Sequence, residues 1–200
     1  MYLYEPYIFH IPKAATIQDI SVPNGGGQKI SNERTQSSGW MWDQEDDLLY
    51  RLSKRMSKIT KLETFRPPKD MVPGTKWAFV EAEPWQMGLY GPGGHYLPHW
   101  DSFDILDPQS IGPGGVWVGN RMATFMFYLS NVVGGFTAFS RVGVAARPSR
   151  GAGVFWYNLQ RDGGREDRAM HGACPTVLGI KWVSNKWIRE GAQVWRRPCI

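Results

Sequence analysis

Two cysteines, four histidines and no long apolar run close several common routes to function for this 200-residue chain. No stretch approaches the roughly 20 apolar residues of a bilayer-crossing helix, so the sequence predicts no helical membrane span. Met1-Tyr-Leu-Tyr-Glu-Pro6 lacks the basic start and apolar centre of a secretory leader. No Asn-X-Ser/Thr acceptor and no C-terminal retention tetrapeptide occur, and the expectation is a fragment of a longer subunit. Cys174 and Cys199 lack CxxC spacing and cannot form a four-cysteine zinc site, while one disulfide and two free thiols both stay open. Clustered charge is missing too. The net charge is +5, but Lys54, Arg55 and Lys58 fall on a predicted helix face and Arg196-Arg197 is an isolated pair. With no nucleic-acid motif beside them, these cations read as solvation, and no nucleic acid partner is expected. Internal repeats and low-complexity tracts are absent.

What is present suits a single domain over residues 1–200. The chain is 42% hydrophobic, 20% charged and 14% aromatic, with 10 Trp, a composition suited to a β-rich core of large side chains. Asp43 is placed to cap a helix over about residues 43–62, with Glu45, Asp46 and Asp47 in its first turn. Leu48, Leu49, Leu52, Met56, Ile59 and Leu62 form its apolar stripe. Ser21–Gly27 reads as a turn, and Gln28–Trp42 has no clear periodicity. Beyond Pro73-Gly74 come short runs predicted as strands: Trp77–Glu81, Trp85–Tyr90, Met122–Leu129, Phe136–Phe139, Val154–Tyr157 and Thr176–Val183. Gly/Pro turns such as Gly112–Gly115 and Pro148–Gly151 separate them. The expected fold is mainly β with flanking α: a β-sandwich or jelly roll buttressed by an N-terminal helix.

The chemistry concentrates in Tyr90-Gly-Pro-Gly-Gly-His-Tyr-Leu-Pro-His-Trp-Asp101. Its glycines and prolines disfavour a helix. In an extended segment, His99 and Asp101 point to one face and can reach one metal ion. His95 and His99 have the spacing of a helical zinc pair, which the same glycines and Pro98 oppose. A third ligand must come from elsewhere, and His171, far down the chain, is a candidate. Two His and one carboxylate, with the opposite side open, is the set that holds non-haem Fe(II). Alternation over Thr176–Val183 puts Lys181 on one face with Val177, Gly179 and Val183. No acidic residue is local, so two readings stand: a carboxylate ligand supplies its countercharge, or the side chain snorkels to water.

The same segment resembles the ligand-bearing part of collagen prolyl 4-hydroxylase α subunits, members of the Fe(II)/2-oxoglutarate-dependent dioxygenases. The similarity continues through Gly119–Ser130, Gly134-Gly135, Thr137, Phe139, Gly153–Leu159, His171–Pro175, Gly179–Trp187 and Arg196–Cys199. Residues 1–84 resemble the family only through Arg34, Ser38 and Trp40, near the family's substrate side.

The resemblance implies a double-stranded β-helix (jelly roll) core over 85–199, a helical and loop support region over 1–84, and hydroxylation of peptidyl proline at C4. It implies His99, Asp101 and His171 as Fe(II) ligands and Lys181 as the cation for the far carboxylate of 2-oxoglutarate. Tyr90 and Thr124 are implied in the cosubstrate pocket, and Tyr96 and Trp187 beside the peptide proline. L-ascorbate as iron reductant, a procollagen-like peptide as substrate and protein disulfide isomerase as partner subunit belong to the same expectation. A Cys174–Cys199 disulfide, worth about 3–4 kcal/mol in the chain-entropy model, and residence in the endoplasmic reticulum lumen complete it. Departures are Ser140-Arg141, where the family commonly has Pro and an acidic residue, and Gly172, where it commonly has Ala. Neither removes a ligand. A non-collagen prolyl substrate and a catalytically silent peptide-binding module are the alternatives.

Overall fold

Period-two alternation organises the central strands. The structure, a computed structural model, describes residues 2–4, 8–11, 34–65, 81–104 and 119–193, the first two segments as backbone. The turn at 21–27, strand residues 77–80, the 112–115 turn, Arg196-Arg197 and Cys199 lie outside the described residues. In chain order the elements are β1 (Tyr2–Tyr4), β2 (Ile8–Ile11), β3 (Ser37–Met41), α1 (Asp47–Thr60), β4 (Trp85–Tyr90) and β5 (Tyr96–His99). There follow β6 (Arg121–Tyr128), β7 (Val133–Gly134), β8 (Thr137–Phe139), β9 (Val144–Ala146) and β10 (Gly153–Tyr157). A short 3-10 turn (Asp167–Ala169) then leads to β11 (His171–Ala173), β12 (Thr176–Leu178) and β13 (Lys181–Arg189).

A seven-stranded sheet in the order β1-β2-β10-β6-β13-β4-β3 faces a four-stranded sheet in the order β5-β11-β8-β9, and β12 pairs with β7. All described pairings are antiparallel. This is the expected jelly-roll arrangement. The central strands β6, β10 and β13 are buried on both faces, so each carries two apolar patterns one residue out of phase. Ala123, Phe125 and Phe127 of β6, Phe155 of β10 and Ile188 of β13 pack with Leu49, Leu52 and Met56 of α1. Their neighbours Met126, Tyr128, Val154, Trp156 and Val183 pack on the other side with Phe139 of the small sheet. The second face holds the functional residues.

Helix α1 starts later than the sequence suggested. Asp46, not Asp43, is the N-cap, its carboxylate accepting from Leu48 N. Asp43 instead accepts from Ser53 Oγ at 2.6 Å and Trp85 Nε1 at 2.8 Å, and pairs with the buried Lys186 ammonium at 2.8 Å. That cluster ties α1 to β4 and β13. The helix stops at Lys61, whose φ of 63° breaks the repeat. Ile59, expected in the stripe, is exposed, because the buried face runs through Leu49, Leu52, Ser53 and Met56. Lys54, Arg55 and Lys58 are exposed, as expected.

Two further departures concern strands. The support region contributes β1, β2 and β3 to the large sheet. The expected strand Thr176–Val183 is two strands, broken at Gly179 with φ of 92°. Val177 consequently lies exposed on β12 and does not share a face with Lys181; Val183 does.

Candidate active site

Antiparallel pairing of β5 with β11 sets His171 directly opposite His99, and Asp101 lies two residues beyond the end of β5. The distal His is thus brought to the proximal pair by the sheet. Among the described residues, His99, Asp101 and His171 offer ligand atoms that all lie within 4.8 Å of one another. His99 Nε2 is 3.7 Å from Asp101 Oδ1 and His171 Nε2 is 3.6 Å from Asp101 Oδ2.

Both imidazoles are held the same way. His99 Nδ1 lies 2.8 Å from the Leu97 carbonyl and His171 Nδ1 lies 2.9 Å from the Ala169 carbonyl. A carbonyl only accepts, so Nδ1 carries a proton in both rings and Nε2 is the nitrogen turned to the centre. Burial, then the neighbouring His171, pushes His99 down to about 4 against the pull of Asp101, which keeps it an uncharged donor at neutral pH. Burial acts to raise the Asp101 carboxyl, but His171, His99, Arg121 and the Thr124 hydroxyl together hold it below its ordinary value. Two imidazole nitrogens and one carboxylate oxygen suit a divalent transition metal.

The three residues line a cavity of about 180 Å³ that Lys181, Tyr90, Tyr96 and Trp187 also line. Lys181 and Tyr90 are register partners across β13 and β4, so they share the face of the sheet that lines the cavity. Lys181 is 2% exposed and does not snorkel; its Nζ sits 5.0 Å from the centre of the Tyr90 ring and 5.7 Å from that of Tyr128. Burial pushes this ammonium down to about 8. No carboxylate pairs with it among the described residues, so two aromatic faces are its compensation, and an anionic ligand would complete it. Tyr90 remains a phenol: burial drives it up to about 12, with Arg34 pulling the other way. A donor set for a metal and a cation with no carboxylate partner among the described residues therefore occupy one cavity.

Tyr96 stacks on His99 with ring centres 3.6 Å apart, and the Arg34 guanidinium lies 4.6 Å over its other face. Trp187 packs against Trp40 at 5.6 Å and under the Arg121 guanidinium at 3.8 Å. Trp40 is 44% exposed, so this side is the mouth of the cavity. Thr124 is buried and does not line the cavity; its hydroxyl donates to Asp101 Oδ2 at 2.7 Å. His95 stays out of the centre, its Nδ1 3.0 Å from the Gly93 carbonyl and 3.3 Å from Thr35 Oγ1. Cys174 is half-buried and has no disulfide partner among the described residues; Cys199 lies outside them. Gln86, Asn185 and Trp156 line the cavity without a sequence signal, since each looks like an ordinary strand residue. Asn158, behind Thr124, lay within a segment carrying the resemblance but drew no assignment.

Similarity to known proteins agrees with this geometry. The chain is 37% identical over 186 residues to the rat (Rattus norvegicus) prolyl 4-hydroxylase subunit alpha-1, covering 92% of this chain and 31% of that subunit. The fold is shared with the viral collagen prolyl hydroxylase of Paramecium Bursaria Chlorella virus-1 in its 2OG complex, at a TM-score of 0.68 and 22% identity, over 92% of this chain and 97% of that one. A prolyl hydroxylase from Trichoplax adhaerens in complex with a hypoxia inducible factor peptide fragment shares it more distantly, at a TM-score of 0.52 and 16% identity, over 80% of this chain and 66% of that one. Residues 85–189, from the first residue of β4 to the last of β13, match the 2OG-Fe(II) oxygenase superfamily, and the chain belongs to that family.

Proposed function

We propose that this chain is the catalytic part of a prolyl 4-hydroxylase acting on collagen-like peptides. The observation that carries this reading is the pairing, in one cavity, of the His99–Asp101–His171 cluster with a buried Lys181 that has no carboxylate partner among the described residues. His99, Asp101 and His171 would hold Fe(II), and Lys181 would neutralise the far carboxylate of 2-oxoglutarate, with the Tyr90 phenol beside it. Iron, dioxygen and 2-oxoglutarate would supply the oxidising power for C4 of proline, releasing succinate and CO2. The protein's share is placement: the Nδ1–carbonyl bonds fix both imidazoles, and the buried walls keep bulk water from the reacting centre. Tyr96 and Trp187, on the mouth side, are the aromatic faces against which a prolyl ring would lie.

Collagen-like substrate preference rests on the 37% identity to the rat alpha-1 subunit. L-ascorbate dependence, partnership with protein disulfide isomerase, a Cys174–Cys199 disulfide, residence in the endoplasmic reticulum lumen and the division into support (1–84) and core (85–199) rest on the resemblance to that family. The test supplies the iron-loaded chain with 2-oxoglutarate, ascorbate and either Pro-Pro-Gly repeats or proline peptides of globular origin, read by mass. One added oxygen per modified proline, matched by succinate, is expected on the repeats. Turnover confined to the globular peptides would move the substrate class. No turnover on either would leave a peptide-binding module.

A further inference from the structure

We propose that Thr124 and Asn158 are positioning residues for the metal-binding carboxylate, acting through Asp101. The inference rests on the assignment of His99, Asp101 and His171 as metal ligands. Thr124 Oγ1 lies 2.7 Å from Asp101 Oδ2, and Asn158 Nδ2 lies 2.9 Å from the same hydroxyl. Thr124 is 1% exposed and Asn158 2% exposed, so water does not compete for either bond. The direction of the relay follows from the chemistry of its ends. An ionised carboxylate can only accept, so the single hydroxyl proton of Thr124 must go to Asp101, and Thr124 Oγ1 is left as acceptor for the Asn158 amide N–H. One lone pair of Oδ2 is thereby occupied, and rotation of the carboxylate costs a buried hydrogen bond. Oδ1, on the His99 side, is the oxygen left free of that bond.

The fold builds this relay from the cavity-facing phase of its central strands. Thr124 on β6 is the register partner of Trp156 on β10, and Asn158 follows Trp156 by two residues, on the same face. Thr124 itself does not line the cavity, so its influence on a bound ion passes through Asp101. Partners of this kind behind a metal ligand typically change metal affinity or activity by about 10- to 100-fold when removed. The family resemblance instead puts Thr124 in the cosubstrate pocket, and the two roles separate experimentally.

The experiment titrates the metal-free chain with Co(II), without 2-oxoglutarate, following the visible absorption of the bound ion. It compares wild type with Thr124→Val, Thr124→Ser, Asn158→Ala and His171→Ala. Thr124→Val is expected to weaken Co(II) binding by about 10- to 100-fold with an altered spectrum. Thr124→Ser should restore both, and Asn158→Ala should weaken binding less than Thr124→Val. Wild-type Co(II) affinity in Thr124→Val, while His171→Ala loses the ion, would overturn the positioning role. A second titration adds 2-oxoglutarate at saturating Co(II), and a Thr124→Val effect confined to that titration would overturn the role as well. If His171→Ala also binds normally, the ligand assignment has failed. Should Thr124→Val not fold by circular dichroism, Asn158→Ala decides: unchanged affinity there overturns the relay.

Discussion

Lys181 concentrates the residue-scale chemistry. An ammonium that is 2% exposed and faces two aromatic rings, with no carboxylate partner among the described residues, is costly to bury. Lys181→Ala is expected to raise the KM for 2-oxoglutarate by roughly 10- to 100-fold, the size of a lost hydrogen bond to a charged group, about 1.5–3 kcal/mol. An unchanged KM would remove Lys181 from cosubstrate binding. The pH dependence has a definite sign. Burial lowers Lys181 to about 8, so the charged form dominates below that pH and is lost above it. The KM should be flat up to about pH 8 and rise beyond it, and a KM that falls through that range would contradict the assignment. The same shift acts on stability in the opposite sense. Between about 8 and its unfolded value near 10.5 the folded chain binds fewer protons than the unfolded chain, so this lysine's cost to folding shrinks as pH rises.

At the scale of elements, the β5–β11 pair makes the site, because its register sets His171 against His99. Gly172 allows that approach: a Cβ there would lie 2.9 Å from the Tyr96 carbonyl oxygen and 3.2 Å from Pro98 N, both backbone atoms of β5. Gly172→Ala, the residue common in the family, should force the strands apart and cost about 1–3 kcal/mol, the usual range for overpacking, read by urea unfolding. Stability equal to wild type would show that β5 yields without strain. On the other face of the sheet, Lys186→Met leaves the Asp43 carboxylate without its buried cation. A loss of about 3–5 kcal/mol is expected, with unfolding by urea as the check and a change below about 1 kcal/mol as the contrary result.

Legibility in the sequence followed the same physics. β4 was readable residue for residue, because Trp85–Tyr90 is a dense aromatic and apolar run between breakers. The continuation of β13 through Ser184, Asn185 and Lys186 was hidden: polar residues in a central strand resemble a loop until Asp43 and Gln86 are seen to satisfy Lys186 and Asn185. β3 was equally obscure, since Ser37-Ser-Gly39 has little strand propensity and is ordered by pairing with β4. His99, Asp101, His171 and Lys181 were legible as chemistry. Thr124 was named for the cosubstrate pocket, and Asn158 was passed over, because a hydrogen bond behind a ligand leaves no spacing pattern.

Across the whole molecule, the large sheet separates two tasks. Its helix side, packed by Leu49, Leu52, Met56 and Phe125, supplies rigidity, and its opposite side carries the cavity. Because successive residues of β13 serve opposite faces, Lys181 and Trp187 look into the cavity while Lys186 anchors α1. The chain spans 31% of the length of the rat alpha-1 subunit. His99, Asp101 and His171 are proposed to form one iron site. Iron content per chain after anaerobic reconstitution with Fe(II), measured for wild type and His171→Ala side by side, tests it most directly. One iron per wild-type chain and essentially none in the folded variant is the predicted result. Equal iron in both proteins would contradict it.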